Sequence, residues 1–343
     1  MVGPTQTDIA LDNLGSVTAE DVCNVVKKMS NKSSPLDIMP TSLLKLCLPE
    51  MSEMIANIAN ASFNAGVFPS LMKFGQVTPL IKKQGLDAAI DANFRPITNL
   101  STLSKIVERL ALLKLQPHLL NSPQFCQMQS AYRAGHSTET ALLKVTDDIY
   151  RSLDNGSFVA SVSLNISAAF DSIDHDILID RLSSEFNVHD TALAWIRSFI
   201  TNRCTFVKVG QAISAHSICS SGVAQGSVLG GLLFTVYISP IGRVIDSYAD
   251  VRYHKYADDT QVYIELKNNS SITSLSECIN HVQYWFLSNK LLLNNDKSDA
   301  IIYGTAQRHA RAASPQSIQI AGADIPTADK IKSLGVTFDR LID

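Results

Sequence analysis

Three segments of the chain alternate apolar and polar side chains with the period of a β-strand. In residues 158–165 every second side chain is apolar and most of the others are small or polar, which predicts a strand. Residues 251–256 are rich in strand-forming side chains, and Val262, Ile264 and Leu266 share one face of the segment that follows. A short turn separates these last two segments, so we predict a β-hairpin with Tyr-Ala-Asp-Asp at its tip.

Apolar residues spaced three or four apart predict amphipathic helices between the strands. The first helix begins near Thr18, a capping residue that is followed by acidic Glu20 and Asp21. Residues 33–83 are predicted to form helical segments interrupted by prolines. Further helices are predicted around residues 104–108, from residue 137 onward, at 191–200 and at about 276–288. Strands separated by helices predict a layered α+β or α/β domain.

Composition allows a large folded core. A chain of 343 residues with 45% hydrophobic and 18% charged residues can form two or three packed subdomains. The net charge of −3 is unusual for a nucleic-acid-binding protein, because phosphate contacts normally require a basic surface. A groove for nucleic acid would therefore depend on local clusters of lysine. These clusters are Lys27, Lys28 and Lys32, and Lys82 with Lys83.

Cysteine usage and the first residues indicate a nuclear or cytoplasmic protein. The six cysteines are scattered and lack the spacing of a zinc site, which is typical of reduced thiols. Residues 1–6 lack the pattern of a signal peptide, so we do not expect secretion. The uncharged residues 222–241 are long enough to span a membrane. Their glutamine, serines, proline and glycines favour a buried loop and helix, and we expect no membrane partner.

The predicted hairpin tip carries two adjacent carboxylates, Asp258 and Asp259. Mg²⁺ prefers carboxylate oxygens together with substrate phosphates, so this pair suits a nucleotide-metal site. Aspartate is also a common turn residue, and taken alone the pair favours a simple polar turn. The surrounding segments favour the metal site.

Seven short blocks of sequence follow one another between about residues 33 and 335. They are Ser34-Pro35-Leu36-Asp37; Phe94-Arg95-Pro96-Ile97; Gln129-Ser130-Ala131-Tyr132-Arg133 with His136-Ser137-Thr138-Glu139-Thr140-Ala141; Ser167-Ala168-Ala169-Phe170-Asp171-Ser172-Ile173-Asp174-His175; Gly222-Val223-Ala224-Gln225-Gly226-Ser227-Val228-Leu229-Gly230; Tyr256-Ala257-Asp258-Asp259-Thr260-Gln261; and Leu293-Asn294 with Lys297. In this order the blocks resemble the reverse transcriptases of non-long-terminal-repeat (LINE-type) retrotransposons, in particular the vertebrate L2 and CR1-like group.

This resemblance implies an α+β right-hand polymerase fold, with fingers and a palm whose antiparallel sheet packs on helices. Residues 1–32 are then a tail and a helix, residues 33–156 a fingers-like region and residues 157–304 the palm. Residues 305–343 resemble the primer-grip end of the palm, and we expect the chain to stop before a thumb.

The resemblance also implies RNA-directed DNA polymerase activity on an RNA template, a DNA primer and dNTPs. Two Mg²⁺ ions, or Mn²⁺ in their place, would promote attack of the primer 3′-hydroxyl on the α-phosphate of the dNTP. Asp258 would be the principal hairpin ligand. Asp259 would be a second ligand or a solvated turn residue, and the backbone carbonyl of Ile166 a further ligand.

Asn165 departs from the family pattern. The family has Leu-Asp-Leu-Ser-Ala-Ala-Phe-Asp where this chain has Leu-Asn-Ile-Ser-Ala-Ala-Phe-Asp, so Asn165 replaces the metal-bridging aspartate. The neutral amide removes one negative charge beside two divalent ions, which we expect to lower the rate by orders of magnitude. Ala224 and Gly231 also replace two family prolines and loosen their loops. Two interpretations stay open, an impaired polymerase and a non-catalytic nucleic-acid-binding remnant.

Further site residues follow from the resemblance alone. Those expected to bind the nucleotide are Ala169 and Phe170 at the sugar, Gln225 and Gly226 in a loop, and Lys105 and Arg95 at the triphosphate. Those expected elsewhere are Tyr132 and Arg133 at the template, and Lys297 as a proton donor to pyrophosphate. Phe170 has an alternative role as a core aromatic, Arg133 as a brace of the fingers, and the lysines and Arg95 as exposed cations. The oligomeric state stays open.

Overall fold

The computed structural model describes residues 9–267, 270–311, 314–320 and 322–342. The helices are α1 (Ala19–Lys28), α2 (Thr41–Leu46), α3 (Leu48–Ala65), α4 (Thr102–Asn121), α5 (Thr138–Asp154), α6 (His175–Ser184), α7 (Asp190–Ile200), α8 (Gly230–Tyr237), α9 (Ile241–Asp246), α10 (Ser270–Ser288) and α11 (Ala306–Arg311). The strands are β1 (Phe74–Ile81), β2 (Phe94–Asn99), β3 (Phe158–Leu164), β4 (Arg203–Val209), β5 (Ala212–Ile213), β6 (Ser217–Cys219), β7 (Val251–Tyr256), β8 (Asp259–Leu266), β9 (Asp299–Tyr303), β10 (Ser317–Ile320), β11 (Ala323–Pro326), β12 (Lys330–Ser333) and β13 (Val336–Asp339).

The chain forms two compact units, and each unit is built from two separate stretches of sequence. The first unit comprises Met1–Gln124 and Ile173–Tyr237, and the second comprises Phe125–Ser172 and Ile238–Asp343. Each unit contains helices and at least one sheet. The predicted α+β class is therefore confirmed, while the boundaries of fingers and palm stay a prediction.

Local sequence signals determine where the first unit's helices begin. The Thr18 hydroxyl accepts the backbone N–H of Asp21 at 3.2 Å, and the Asp21 carboxylate accepts the backbone N–H of Thr18 at 2.8 Å. This reciprocal cap starts α1, as predicted.

Trp195 of α7 is fully buried, and its ring lies 5.5 Å from that of Phe63 and 5.4 Å from that of Phe68. The predicted helix at residues 191–200 thus packs through its aromatic side.

The first unit also contains a sheet in the order β2-β1-β4-β5, with β6 paired to β4. The prediction of helical segments throughout residues 33–83 is wrong for residues 74–81, which form β1. Prolines suggest helix ends, but Pro79 lies beyond the β1–β4 pairing, which stops at Val77. The N–H that proline lacks is therefore not needed for a ladder to β4.

The second unit is organised around a four-stranded antiparallel sheet in the order β7-β8-β3-β9. On one face, Val159 of β3 and Tyr263 of β8 pack with Val145 and Ile149 of α5. The residues of the opposite face are also buried, and α9 and α10 contact the sheet through β7 and β8. The predicted strand at 158–165 and the predicted helices α5 and α10 all lie where the sequence pattern places them.

Residues 230–237 form α8, in which all eight residues are buried. The buried helix predicted within residues 222–241 is therefore present, whereas residues 224–228 of the loop before it are half-buried or exposed. None of the helices in the described ranges is both long and apolar enough to cross a membrane. The six cysteines are free thiols, and Cys126 and Cys278 are buried.

Candidate active site

The Tyr-Ala-Asp-Asp tetrad forms the tip of the β7–β8 hairpin, as predicted. The two strands stay paired up to Tyr256 and Asp259, and Ala257 and Asp258 make the two-residue turn. Ala257 has a φ of +55°. A positive φ at the first turn residue is typical of a type II′ turn, whose twist matches that of the flanking strands. Asp258 therefore lies at the apex of a regular hairpin.

Strand β3 lies beside β8, and the register of this pair brings Asn165 to the hairpin tip. Leu164 pairs with Thr260, so the next position along the chain, Asn165, falls opposite Asp259. Side chains at directly opposite positions point to the same face of a sheet. The register thus places the residue predicted to replace the bridging carboxylate at the same end of the sheet as the aspartate pair.

The backbone around Asn165 is held by the segment that follows α10. The carbonyl oxygen of Asn165 accepts the backbone N–H of Asn294 at 2.8 Å, and Ile166 forms a β-bridge with Leu293. The Ile166 carbonyl, predicted as a metal ligand, therefore lies on an ordered backbone. Lys297 belongs to the turn that follows, and its side chain is exposed.

Negative charge is concentrated at the tip. Partial loss of hydration raises the pKa of Asp259 to about 6, and the neighbouring Asp258 carboxylate adds to this shift, although Asp259 is exposed by surface area. Burial also raises the pKa of the Tyr132 hydroxyl, with a further contribution from Asp258. Tyr132 therefore lies within electrostatic reach of the apex carboxylate. A divalent cation would relieve this excess of negative charge.

The oxygen atoms at the tip suit a hard divalent cation. Asp258 and Asp259 offer carboxylates, and Asn165 offers a neutral amide oxygen. Within the described ranges, no three His, Cys, Asp or Glu side chains come together as a metal-binding group. These donors fit Mg²⁺ or Mn²⁺ bound by the two aspartates together with substrate phosphates, and they include no third carboxylate to bridge a pair of ions.

A cavity of about 20 Å³ lies next to Asp259. Its walls include Tyr256 and Asp259 of the hairpin, and Ser333 and Leu334 of the turn between β12 and β13. The turn between β12 and β13, within the stretch predicted to end the palm, therefore lies beside the hairpin. Sequence spacing alone could not place it there, because about 70 residues separate the two segments along the chain.

The predicted sugar-contacting residues follow Asn165 in a strained turn. Ala169 is buried and Phe170 is half-buried. Ala168 has a φ of +47°, and its carbonyl accepts the backbone N–H of Asp171 at 2.8 Å. A positive φ is uncommon for alanine, so the turn has a defined conformation that sets the direction of the Phe170 side chain.

Arg133 braces the loop that leads to Tyr132. Its guanidinium donates hydrogen bonds to the carbonyl oxygens of Gln127 at 3.0 Å and Gln129 at 2.9 Å, and it lies 5.6 Å from the centre of the Phe125 ring. These contacts match the bracing role that the sequence left open. A contact with the template stays a prediction for both Tyr132 and Arg133.

In the first unit, Gln225 and Gly226 lie against β2. The carbonyl oxygen of Gln225 accepts the backbone N–H of Thr98 at 2.8 Å. Gly226 has a φ of +124°, and a Cβ at this position would lie 2.5 Å from the Thr98 carbonyl oxygen. Only glycine fits such an approach. Arg95 lies on the same strand and is exposed, so the first unit brings this predicted cation and the loop to one strand.

Glu108, which the sequence analysis missed, holds the end of this loop. Its buried carboxylate accepts the backbone N–H groups of Val228 at 2.7 Å and Leu229 at 3.3 Å. Burial raises the pKa of Glu108, while the charge of Arg203 opposes the shift. Lys105 lies on the same helix, three residues earlier, and is half-buried. The available signal was a charged residue inside a mostly apolar stretch of α4.

Comparisons with known proteins agree on one family. A family model described as reverse transcriptase (RNA-dependent DNA polymerase) matches residues 81–338. The RNA-directed DNA polymerase from mobile element jockey of Drosophila melanogaster is 28% identical over 335 residues, which cover 95% of this chain and 36% of that protein. The probable RNA-directed DNA polymerase from transposon X-element of the same organism is 26% identical over 323 residues, which cover 93% of this chain and 35% of that protein.

A solved structure shares the fold. Apo telomerase from Candida tropicalis, truncated from the C-terminal domain, superimposes with a TM-score of 0.51 at 13% identity, covering 80% of this chain and 56% of that one. At this identity the match concerns the fold alone. The chain spans about a third of the length of the curated relatives above, 36% and 35% respectively.

Proposed function

This chain belongs to the reverse transcriptase (RNA-dependent DNA polymerase) family, and from that premise we propose that it extends a DNA primer along an RNA template with dNTPs. The resemblance to LINE-type reverse transcriptases is confirmed. The observation that carries the proposed activity is the hairpin tip, where Asp258 and Asp259 lie opposite the end of β3. Two carboxylates displayed at a regular turn suit the reacting phosphates of a dNTP.

Asp258 and Asp259 would hold Mg²⁺, or Mn²⁺ in its place, with the Asn165 amide and the Ile166 carbonyl as neutral ligands. Bound there, the metal supplies positive charge that stabilises the negative charge developing on the phosphates. The aspartates would orient the α-phosphate, and Phe170 would pack on the sugar. In the first unit, Gln225, Gly226, Lys105 and Arg95 stay proposed contacts of the nucleotide.

Asn165 lowers the proposed activity. In this family two metal ions would share the carboxylate at this position, and an amide supplies one neutral oxygen instead. The loss of one negative charge would weaken the binding of the second metal ion most, because the other ligands of that ion are substrate oxygens and neutral groups. We therefore propose a polymerase whose rate is reduced by orders of magnitude relative to the aspartate form.

The experiment is primer extension on an RNA template with dNTPs and Mg²⁺. It compares the unaltered chain with Asn165→Asp and with the double variant Asn165→Asp/Asp258→Asn. We expect Asn165→Asp to extend the primer at least 100-fold faster than the unaltered chain. The double variant should lose this gain, since it keeps the restored aspartate but lacks the apex ligand.

Equal rates for the unaltered chain and Asn165→Asp would contradict the role of Asn165. If a folded Asn165→Asp protein extends no primer with either Mg²⁺ or Mn²⁺, the polymerase proposal fails. Fluorescence anisotropy with an RNA–DNA primer-template duplex then tests the non-catalytic remnant, which predicts binding without extension. We propose a nuclear or cytoplasmic site of action, where RNA templates and dNTPs are present.

A further inference from the structure

Gln129 is a fully buried residue, and in the described part of the chain its side chain bonds to backbone groups. Its Oε1 accepts the backbone N–H of Ala257 at 2.9 Å and that of Ala131 at 3.0 Å. Its Nε2 donates to the carbonyl oxygen of Ala257 at 3.1 Å, and none of the residue is exposed to solvent. Two backbone donors converge on one side-chain atom, so that atom must be the oxygen, and the orientation of the amide is fixed.

Ala257 is the turn residue whose backbone groups the hairpin itself leaves unused. The last strand pair joins Tyr256 and Asp259, so Ala257 lies outside the ladder. Its φ of +55° is unfavourable for a residue with a Cβ, by about 1 to 2 kcal/mol. Buried backbone groups without partners would add a further penalty. Gln129 provides a partner for both the N–H and the C=O of Ala257, and so stabilises this conformation.

The segment that carries Gln129 is itself anchored to β7. The backbone N–H of Lys255 donates to the carbonyl of Met128 at 2.8 Å, and the N–H of Ser130 donates to the carbonyl of Lys255 at 3.0 Å. Gln129 therefore forms a single parallel β-bridge with Lys255 of β7. The Arg133 guanidinium also donates to the carbonyl of Gln129 at 2.9 Å. The Gln129 amide thus reaches the turn from a well-supported backbone.

We propose that Gln129 is a positioning residue: through Ala257 it fixes the peptide that leads into Asp258, and so determines where the Asp258 carboxylate lies. The catalytic consequence rests on the proposed polymerase function, whereas the order of the turn does not. An amide that only filled space could be replaced by methionine of similar length. An amide that positions Asp258 could not be replaced in this way, because the turn would lose all its hydrogen bonds to the side chain of Gln129.

Backbone amide hydrogen exchange at residues 256–259 tests whether Gln129 orders the hairpin turn. Gln129→Met removes the bonds and keeps the side-chain length, and Gln307→Met makes the same chemical change at an exposed position of α11 in the same unit. We expect Gln129→Met to speed exchange at Ala257 by about ten-fold or more, as the loss of one or two buried hydrogen bonds predicts. Exchange in α10 should stay unchanged in both variants.

A second substitution covers the case in which Gln129→Met does not fold. Gln129→Glu keeps an acceptor for both N–H groups but sets an oxygen against the Ala257 carbonyl, so the turn should again exchange faster. Unchanged exchange at Ala257 in the folded variants would overturn the proposal. A uniform increase throughout the second unit would also overturn it, because it would make Gln129 a general stabilising residue.

Two further measurements test the consequence for the site. Binding of Mn²⁺ alone, followed by electron paramagnetic resonance, should weaken by about ten-fold in Gln129→Met, as is typical for groups that orient metal ligands. In the Asn165→Asp background, kcat should fall by about 10- to 100-fold while KM for dNTP changes little. Gln307→Met should match its parent in both measurements.

These readouts separate the two proposals. If Asn165→Asp shows no extension and the chain binds no Mn²⁺, the polymerase function fails, and hydrogen exchange still decides whether Gln129 orders the turn. If Asn165→Asp is active and Gln129→Met has the same kcat and Mn²⁺ affinity, the polymerase function stands and the positioning role is wrong.

Discussion

The carboxylate of Glu108 in α4 accepts the backbone N–H of Val228 at 2.7 Å, immediately before α8 begins. A fully buried acid thus adds to the Ser227 hydroxyl, which accepts the backbone N–H of Gly230 at 3.1 Å. The loop with Gln225 and Gly226 precedes this contact by two residues. Its conformation therefore depends on a helix more than 100 residues earlier in the chain.

Glu108→Gln should destabilise the first unit. The amide oxygen can still accept both backbone N–H groups, but the NH₂ group then replaces the oxygen that accepts the Ser104 hydroxyl at 3.1 Å, and buried Arg203 loses an opposing charge. We expect the free energy of unfolding to fall by about 3 kcal/mol, as is typical when one member of a buried charged network is neutralised. Urea denaturation followed by circular dichroism measures the change. The exposed Glu53→Gln on α3 is the matched control and should change stability by less than about 0.5 kcal/mol.

Gly226→Ala should separate steric conflict from backbone strain. The new Cβ would lie 2.5 Å from the Thr98 carbonyl oxygen, in addition to the penalty for a φ of +124°. We expect a loss of about 2 to 4 kcal/mol in thermal or urea unfolding. Gly85→Ala is the control, because Gly85 also has a positive φ, +87°, but no atom lies within 4 Å of its Cβ position. A control loss as large as that of Gly226→Ala would refute the steric explanation.

We expect buried Lys255 to give the free energy of unfolding an unusual dependence on pH. Its ammonium group is buried and donates to the carbonyl of Ile238 at 2.8 Å. Burial lowers the pKa of Lys255 from 10.5 to about 8, while the nearby Cys126 thiol acts in the opposite direction. Between these two pH values the unfolded chain binds this proton and the folded chain does not, so this residue makes stability rise with pH from about 8 to 10.5.

Lys255→Met should remove that rise. At pH 7 the variant should be more stable than the unaltered chain by about 2 to 3 kcal/mol, after the loss of one hydrogen bond is subtracted. Urea denaturation at several pH values from 7 to 10 measures the slope. Lys267→Met, at an exposed lysine of the same unit, should leave the slope in place. The same slope in Lys255→Met would show that another group causes it.

Asp259→Asn should make the metal-free fold more stable at pH 7. The pKa of Asp259 is raised to about 6 by partial burial and by Asp258, so the ionised form is disfavoured in the folded chain and stability falls as the pH rises through 3.8 to 6. Because the side chain is partly exposed, solvent screening limits the gain to about 1 kcal/mol. Thermal unfolding with and without Mg²⁺ tests this. Added Mg²⁺ should stabilise the unaltered chain more than the variant.

Local patterns predicted the elements of this fold better than its polar contacts. The alternation at residues 158–165 and the helical spacing around Ile279 and Phe286 each reflect burial of a single element, and both elements are present. Strand β1 was missed because Pro79 within it resembles a helix end, and only the partner strands show that this proline is tolerated.

In the candidate site, too, the local elements could be predicted from the sequence and the long-range polar contacts could not. The hairpin and its aspartates follow from a short stretch of sequence, whereas the partner of each supporting side chain lies far along the chain. Gln129 bonds to Ala257, which is 128 residues away, and Glu108 bonds to Val228, which is 120 residues away. A polar residue in a sequence carries no sign of whether it is solvated or buried against a distant backbone group, so neither contact could be predicted.

The interleaved order of the two units also limits how the chain can fold during synthesis. Strand β3 at Phe158–Leu164 must wait for β8 at Asp259–Leu266 and β9 at Asp299–Tyr303 before its sheet exists. The first unit likewise stays incomplete until residue 237 has left the ribosome. Neither unit can complete its fold before synthesis of the other has begun. Apolar strand surface must therefore stay exposed for many seconds at ordinary translation rates. Such a nascent chain should depend on chaperones, and neither unit could be expressed alone as one continuous segment.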